Sequence, residues 1–271
     1  MSAALFQPFP MQPARRAQVW RHRPEFRRPR HFHREPELNF VVKGSATLGV
    51  GSRVQRATAG EVVVFEPGQD HELLEASDDL QLFALALTPE LWERRRALNA
   101  GFGATAGELS EAAAASVSEA LGAVADISDA AVVETRLSEL FSLLRSAAGA
   151  PSSVSRRAAE QVVAQPGASC SALANQLGTH PSNLSRVVTR ELGVPLVELR
   201  SRLKLSEFIR LVDAGFSFTQ AALQADFGSY AQCHRVFRRL TGCQPRAYFA
   251  GARQHVDLRT APTQTPTRPA L

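Results

Sequence analysis

The chain contains no run of 18 or more consecutive apolar residues, so no segment of it reads as a membrane-spanning helix. Its amino terminus, MSAALFQPFPMQPARRAQVW, has no continuous apolar stretch followed by a cleavage site. It therefore does not read as a secretory signal, and a cytoplasmic protein with no membrane partner is expected. Cysteine is scarce: Cys170, Cys233 and Cys243 are odd in number and fall in no CxxC spacing. They read as free thiols in a reducing cytosol, Cys233 as a core residue. Lysine is rarer still, with Lys43 and Lys204 the only two. The positive charge is thus carried by arginine, whose planar fork suits bidentate contacts to phosphate and guanine. A GC-rich genome would give the same bias.

At 271 residues and 44% hydrophobic content, the chain is long enough for two ordinary globular cores. Its net charge of +5 is unevenly divided. Residues 152–271 hold 15 Arg and Lys against 7 Asp and Glu, whereas residues 1–151 hold 16 against 19. A basic excess in one half is what phosphate binding requires, and also what a solvated basic face would show.

Residues 1–30 read as a basic arm with several prolines, either mobile or an edge strand, and the arginines Arg15, Arg16, Arg21, Arg23, Arg27, Arg28 and Arg30 face only Glu25. From His31 onward short apolar or alternating runs follow: Leu38–Val42, Ala46–Val50, Val54–Ala57, Glu61–Phe65 and Leu80–Leu87. They are punctuated by Lys43-Gly44, Gly51-Ser52, Ala59-Gly60 and Pro67-Gly68. This spacing predicts a small antiparallel barrel or sandwich. The period then turns helical over 108–125 and 129–148, with Val133, Leu137, Leu140, Phe141 and Leu144 on one face. That stripe serves either packing on the chain's own barrel or a dimer interface. The expected organisation is a barrel with a helical dimerisation element over 31–150, a linker over 151–160, a helical domain over 161–252 and a disordered tail over 253–271.

Two stretches in the basic half have the layout of a helix-turn-helix. In the first, Ser171–Leu177 is a supporting helix, Gly178-Thr179-His180 a turn, and Pro181 the start of a second helix. Leu184, Val187, Val188 and Leu192 face inward there, leaving Ser182, Asn183, Ser185, Arg186 and Arg190 outside. Gly193 closes the helix and Pro195 prevents its continuation. Residues 196–212 are a connecting helix, with Leu199, Leu203, Phe208, Leu211 and Val212 as core. In the second unit Thr219–Ala225 supports, Asp226-Phe227-Gly228 turns, and Ser229 caps a helix whose Cys233, Val236, Phe237 and Leu240 point inward. Tyr230, Ala231, His234, Arg235 and Arg238 remain outside. Arg235 is the strongest candidate for a guanine contact, and Arg238, Arg239 and Arg246 suit phosphate. Each arginine taken singly is equally well a solvated side chain.

Residues Cys170–Phe249 resemble the C-terminal domain of the AraC/XylS family of bacterial transcription regulators. The resemblance rests on Asp226-Phe227-Gly228-Ser229, Cys233-His234-Arg235-Val236-Phe237 and Thr241-Gly242-Cys243-Gln244-Pro245. It departs from the family pattern where Asp226 replaces a glycine, Cys233 and Val188 replace larger apolar residues, and His180 stands where a capping serine is common. The resemblance implies that Ser182, Ser185 and Arg186 of the first unit and Tyr230, Ala231, His234 and Arg235 of the second face base edges.

The remaining constellation is H-x-H-x3-E-x6-G from His31 through His33 and Glu37 to Gly44, then G-x7-G-x2-H from Gly60 to His71. It resembles both cupin motifs, with Glu66 in place of a proline and Glu75 in place of an asparagine. In metal cupins the equivalents of His31, His33, Glu37 and His71 bind one divalent ion, for which imidazoles plus a carboxylate are suitable donors. The same residues also suit a pocket for a small effector, or a set that only satisfies itself.

The expected architecture is thus α+β and multidomain, a cupin-like antiparallel β-barrel with helices followed by an all-α double helix-turn-helix. The expected function is a sequence-specific, effector-controlled transcription regulator, an activator rather than an enzyme. It would bind double-stranded DNA and a small-molecule effector, form a homodimer and contact RNA polymerase. No cofactor is required, and a divalent metal at the His/Glu set is an option. A metal-dependent cupin enzyme with an appended DNA-binding domain, or a regulator without an effector, are the alternatives.

Overall fold

The computed structural model describes residues 5–9, 11, 15–22, 28–98, 105–106, 110–126, 132, 135–140, 154–165 and 167–250. The N-terminal half contains β1 (Leu5–Phe6), β2 (Ala17–Arg21), β3 (His31–Phe32), β4 (Glu37–Lys43), β5 (Ser45–Val50), β6 (Arg53–Thr58), β7 (Val62–Phe65), β8 (His71–Ala76) and β9 (Gln81–Leu87). Helix α1 (Pro89–Leu98), strand β10 (Thr105–Ala106), helix α2 (Glu111–Asp126) and a helical stretch α3 over 135–140 follow. The strands form two five-stranded sheets, in the orders β1-β3-β8-β5-β6 and β10-β7-β4-β9-β2, rather than one closed barrel.

Alternation along the strands explains how the second sheet is buried on both faces. In β7, Val62 and Val64 point to one side and Val63 and Phe65 to the other. The first pair joins Leu38, Phe40, Leu85 and Leu87 in a core covered by Trp92 of α1, by Val117 and Leu121 of α2, and by Leu137 and Leu140 of α3. The second pair packs with Ala46, Leu48 and Val50 of the opposite sheet. Leu137 and Leu140 are therefore spent on the barrel of their own chain; Val133, Phe141 and Leu144 lie outside the described residues. Within the stretch read as a basic arm, Ala17–Arg21 pairs with β9 at the edge of one sheet, and Leu5–Phe6 lies at the edge of the other. The strand His71–Ala76 was not anticipated, because its central residues Glu72, Leu73, Leu74 and Glu75 do not alternate.

The C-terminal half is helical: α4 (Val154–Ala164), α5 (Cys170–Gln176), α6 (Pro181–Leu192), α7 (Leu196–Asp213), α8 (Phe218–Gln224), α9 (Tyr230–Thr241) and α10 (Pro245–Ala250). The stretch from 151 to 160 expected as linker runs into α4. Ala158, Ala159, Val162 and Val163 of that helix are buried against Leu184, Val188 and Leu192 of α6. Helix α7 is shared between two cores. Its Leu199 and Leu203 belong to the first helix-turn-helix, and Leu205, Phe208 and Leu211 to the second. A fully buried side chain such as Phe208 or Phe237 contributes roughly 2–3 kcal/mol relative to exposure.

The helix ends follow the expected chemistry. Ser217 and Gln220 form a capping box at α8, and the Ser229 hydroxyl accepts from Gln232 N at 3.2 Å. His180 takes the capping role at α6 by accepting from Ser182 N, with Pro181 in the first turn. Asp226 sits at φ 61°, a conformation Asp tolerates better than most residues.

The two halves meet at the carboxyl end of α6. The last carbonyls of a helix have no partner within it, and here three consecutive ones are supplied from the sheet domain. Arg53 Nη2 donates to Glu191 O, Gln69 Nε2 to Leu192 O at 2.8 Å, and Ser52 N to Gly193 O at 2.8 Å. Gly51 and Gly193 approach so closely that a Cβ on Gly193 would stand 2.7 Å from Val50 O. Phe6 and Phe32 of the sheet domain enter the core of the second helix-turn-helix.

Candidate effector site and DNA-reading face

Strands β3, β4 and β8 and the residue that follows β3 bring His31, His33, Glu37 and His71 together, all buried. The potential ligand atoms of the three histidines lie within 4.8 Å of one another. The Phe65 ring stacks on His71 at 4.1 Å, and Phe9 meets the edge of His33 at 4.8 Å, which holds the imidazoles in place. Glu75, by contrast, is exposed, and Glu66 is buried where Trp92 Nε1 donates to it at 3.4 Å.

All three imidazoles are anchored in the same sense. Each Nδ1 faces a main-chain carbonyl: His31 to Pro29 O at 2.8 Å, His33 to Glu35 O at 2.7 Å and His71 to Gln69 O at 3.1 Å. A carbonyl accepts only from N–H, so Nδ1 carries a proton in each ring, and in His31 and His71, where burial disfavours the charged form, Nε2 is left as a lone pair. The Nε2 atoms of His33 and His71 lie against Glu37 Oε2, at 3.1 Å and 3.6 Å. Burial opposes ionisation of Glu37, yet the imidazoles of His33 and His71 beside it outweigh that and hold its carboxyl well below the usual range. Burial drives the His31 imidazole far down, reinforced by His71, Arg28 and His33, and burial likewise lowers His71.

A buried lone pair that meets no donor is costly unless a cation satisfies it. His31 Nε2 and His71 Nε2 are buried with no hydrogen-bond partner, as are Nε and Nη2 of neighbouring Arg28. The set fits a divalent transition metal ion: three imidazole nitrogens and one carboxylate oxygen, each imidazole oriented by a hydrogen bond from its other nitrogen. Bound there, such an ion would supply the missing positive charge and a Lewis-acid position for a ligand oxygen, and Arg28 has N–H groups to offer an acidic group.

The residues that flank these ligands in sequence reach the other domain. Arg30 and Arg202 of α7 both donate to the buried Asp70 carboxylate, Arg30 Nε at 2.6 Å. Arg202 Nη1 also donates to Gly68 O at 3.1 Å, and its guanidinium covers the Phe32 ring at 4.9 Å. Burial disfavours the charged Asp70, but Arg202 and Arg30 outweigh it and hold its carboxyl below the usual range. Arg202 further pairs with Glu198, and Glu198 with Arg239 of α9 at 2.8 Å. Asp70 and Arg202 were not singled out from the sequence, and Arg30 was read only as one charge of the basic arm. A signal did exist: Arg202 lies three residues after Leu199 on the apolar face of α7, where a buried charge must find a partner.

Helix α6 exposes Ser182, Arg186 and Arg190 and half-exposes Ser185. Arg186 bonds Asn183 Oδ1 and Arg190 pairs with Glu191 at 3.1 Å. Helix α9 exposes Ala231, Arg235, Arg238 and Arg239. Tyr230 and His234 are only half-exposed. The Tyr230 ring lies stacked 6.0 Å from Phe218 and packs against the second core, so part of it serves the fold.

This pairing of a two-sheet ligand-binding domain with a double helix-turn-helix defines a DNA-binding transcription regulator. Residues 17–144 match the AraC-like ligand binding domain family and residues 173–251 a helix-turn-helix domain family, together most of the chain. The chain belongs to the AraC/XylS family of bacterial transcription regulators. Among solved structures it is similar to unsaturated fatty acid bound wild-type ToxT from Vibrio cholerae strain SCE256, at 17% identity over 86% of this chain and 93% of that one, TM-score 0.48. ToxT from Vibrio cholerae O395 gives 15% identity, 86% and 96% coverage and a TM-score of 0.44. The AraC-like transcriptional activator CuxR gives 16%, 72% and 71% coverage and 0.32. No curated protein matches significantly.

Proposed function

We propose that this regulator is controlled by a small ligand bound at His31, His33, Glu37 and His71, and that α6 and α9 read operator DNA. The observation that carries the reading is one short segment, Gly68 to His71. His71 belongs to the buried cluster, Asp70 and Gly68 O hold Arg202 of α7, and Gln69 caps α6. A ligand that repositions His71 therefore acts on α6 of the first helix-turn-helix and on the connecting helix α7 through adjacent peptide units. Coupling free energies of this kind are typically about 1–3 kcal/mol.

The unpartnered lone pairs favour a divalent cation as the ligand or as part of it, and Arg28 favours an acidic group on an organic effector. On the DNA side Arg235 is the base-contacting candidate, with Ser182, Ser185, Arg186, Ala231, His234 and the exposed edge of Tyr230 beside it. Arg190, Arg238 and Arg239 serve phosphate. Two copies reading paired half-sites, with activation through RNA polymerase in a cytoplasmic setting, complete the reading.

The test is selection of bound duplexes from a random pool with the full chain, alongside Arg235→Ala, followed by operator binding with and without ligands that raise the melting temperature. A recovered site weakened by the variant at one position, by about 1–3 kcal/mol, supports the DNA assignment. Operator affinity indifferent to every ligand that stabilises the chain sinks the effector assignment.

A further inference from the structure

The β5–β6 turn does more than cap α6. Ser52 and Arg53 form one wall of a cleft of about 470 Å³ whose other wall is Ser185, Arg186, Thr189 and Arg190 of α6. Three guanidinium groups line it, all on exposed residues, and Glu191 is the carboxylate paired with one of them. Like charges gathered along one turn of helix repel one another, and a polyanion relieves that repulsion. Arg53 is held in position rather than drifting at a loop tip. Its Nη2 donates to Glu191 O, and the preceding residue is tied by Ser52 N to Gly193 O at 2.8 Å. Thr189 turns its hydroxyl back to Ser185 O at 2.9 Å, so the donors that address the cleft are the guanidiniums and the serine hydroxyls.

We propose that this cleft binds phosphate of the DNA backbone, so that the ligand-binding domain itself, through Arg53 and Ser52, takes part in the DNA interface. The inference rests on α6 facing DNA and reaches beyond it by placing the other domain at the duplex. The duplex is the source of phosphate favoured by position. The cleft lies on the face of α6 that carries Ser182 and Asn183, and Arg186 and Arg190 stand about 6 Å apart along the helix axis. A strand passing the reading face runs along the same wall.

The test is the salt dependence of operator binding by the full chain. Each phosphate contact contributes about 0.9 to the slope of log K against log salt. Arg53→Gln keeps a donor for Glu191 O but removes the charge. It is expected to lower the slope by about one contact and to weaken operator and random DNA equally, whereas Arg53→Lys keeps the slope. Ser52→Glu, which leaves the main-chain bond to Gly193 available, is expected to weaken both duplexes severalfold. An unchanged slope in Arg53→Gln with a lowered slope in Arg190→Gln overturns the inference alone. Unchanged slopes in Arg53→Gln, Arg186→Gln and Arg190→Gln together overturn the assignment of α6 itself. Thermal stabilisation by inorganic pyrophosphate that Arg53→Gln abolishes, with DNA slopes unaltered, gives the cleft to a free phosphate ligand and also overturns the proposal.

Discussion

Gln69 donates its side-chain amide to the carbonyl of Leu192 at 2.8 Å, joining positions 123 residues apart. Two residues further on, His71 lies in the buried imidazole cluster, and between them Asp70 receives Arg202. Replacing Gln69 by Ala removes the cap from Leu192 O, at a cost of about 1 kcal/mol in unfolding free energy. The ligand-dependent change in operator affinity is expected to shrink with it. Urea unfolding and fluorescence anisotropy on a labelled operator, with and without ligand, measure the two effects separately.

Arg202→Met keeps an apolar stem but removes the guanidinium over Phe32 and takes one cation from Asp70, which keeps Arg30. Because one partner remains, the expected loss is about 2 kcal/mol, below that of a buried charge left wholly alone. A shift of the urea midpoint of that size, with DNA binding retained but ligand response lost, is the expected result. A variant as stable and as responsive as the parent would contradict the role given to this pair.

Chelator-stripped protein is expected to take up one Co²⁺ per chain, read by its visible absorption and by mass spectrometry of the metal content. His71→Gln and Glu37→Gln each remove one ligand and are expected to weaken uptake at least tenfold. Glu75→Gln, on an exposed strand residue, is expected to leave it unchanged.

Burial pushes the Cys233 thiol up to about 12, while Cys170 and Cys243 are half-buried. The thiolate is the reactive form, so a raised value means almost none is present near pH 8. Native protein is expected to be alkylated at Cys170 and Cys243 first, with Cys233 modified only on unfolding. Mass spectrometry of peptides after timed labelling checks the order.

Gly193 combines φ 71° with contact against Val50 O, so Gly193→Ala is strained twice over. The left-handed conformation alone costs an alanine about 1–2 kcal/mol, and the added methyl must also displace the β5–β6 turn. The expected outcome is a loss above 2 kcal/mol on thermal or urea unfolding, together with faster proteolysis between the domains. Gly178→Ala, also at positive φ but with open space around it, is expected to show the conformational cost alone.

The parts of this fold that were legible in the sequence are those set by local chemistry. Ser229, Pro181 and Gly193 mark helix ends because caps act within a turn, and β4, β5 and β7 show apolar side chains on a short period. The grouping of His31, His33, Glu37 and His71 was legible through the resemblance of their spacing to the two cupin motifs. Strand β8 was not, since its pattern is broken and it is recognised only by its neighbours β3 and β5. Helix α4 was missed because small residues such as Ala158 and Ala159 read equally well as linker. The bonds from Arg53, Gln69 and Ser52 to α6, and the Arg30–Asp70–Arg202 group, arise from domain docking. Apart from Arg30–Asp70, these bonds connect positions more than a hundred residues apart, and none leaves a periodic trace.

Phe6 and Phe32 complete the core that contains Phe208, Phe227 and Phe237. The second reading unit is thus finished by two rings that belong to the first few dozen residues of the chain. Cutting the protein between its halves would leave a greasy wound on the excised helical fragment. Such a fragment would be prone to self-association, and its DNA affinity would describe a damaged body rather than an unregulated one. Regulation is more faithfully removed here by single substitutions than by scissors.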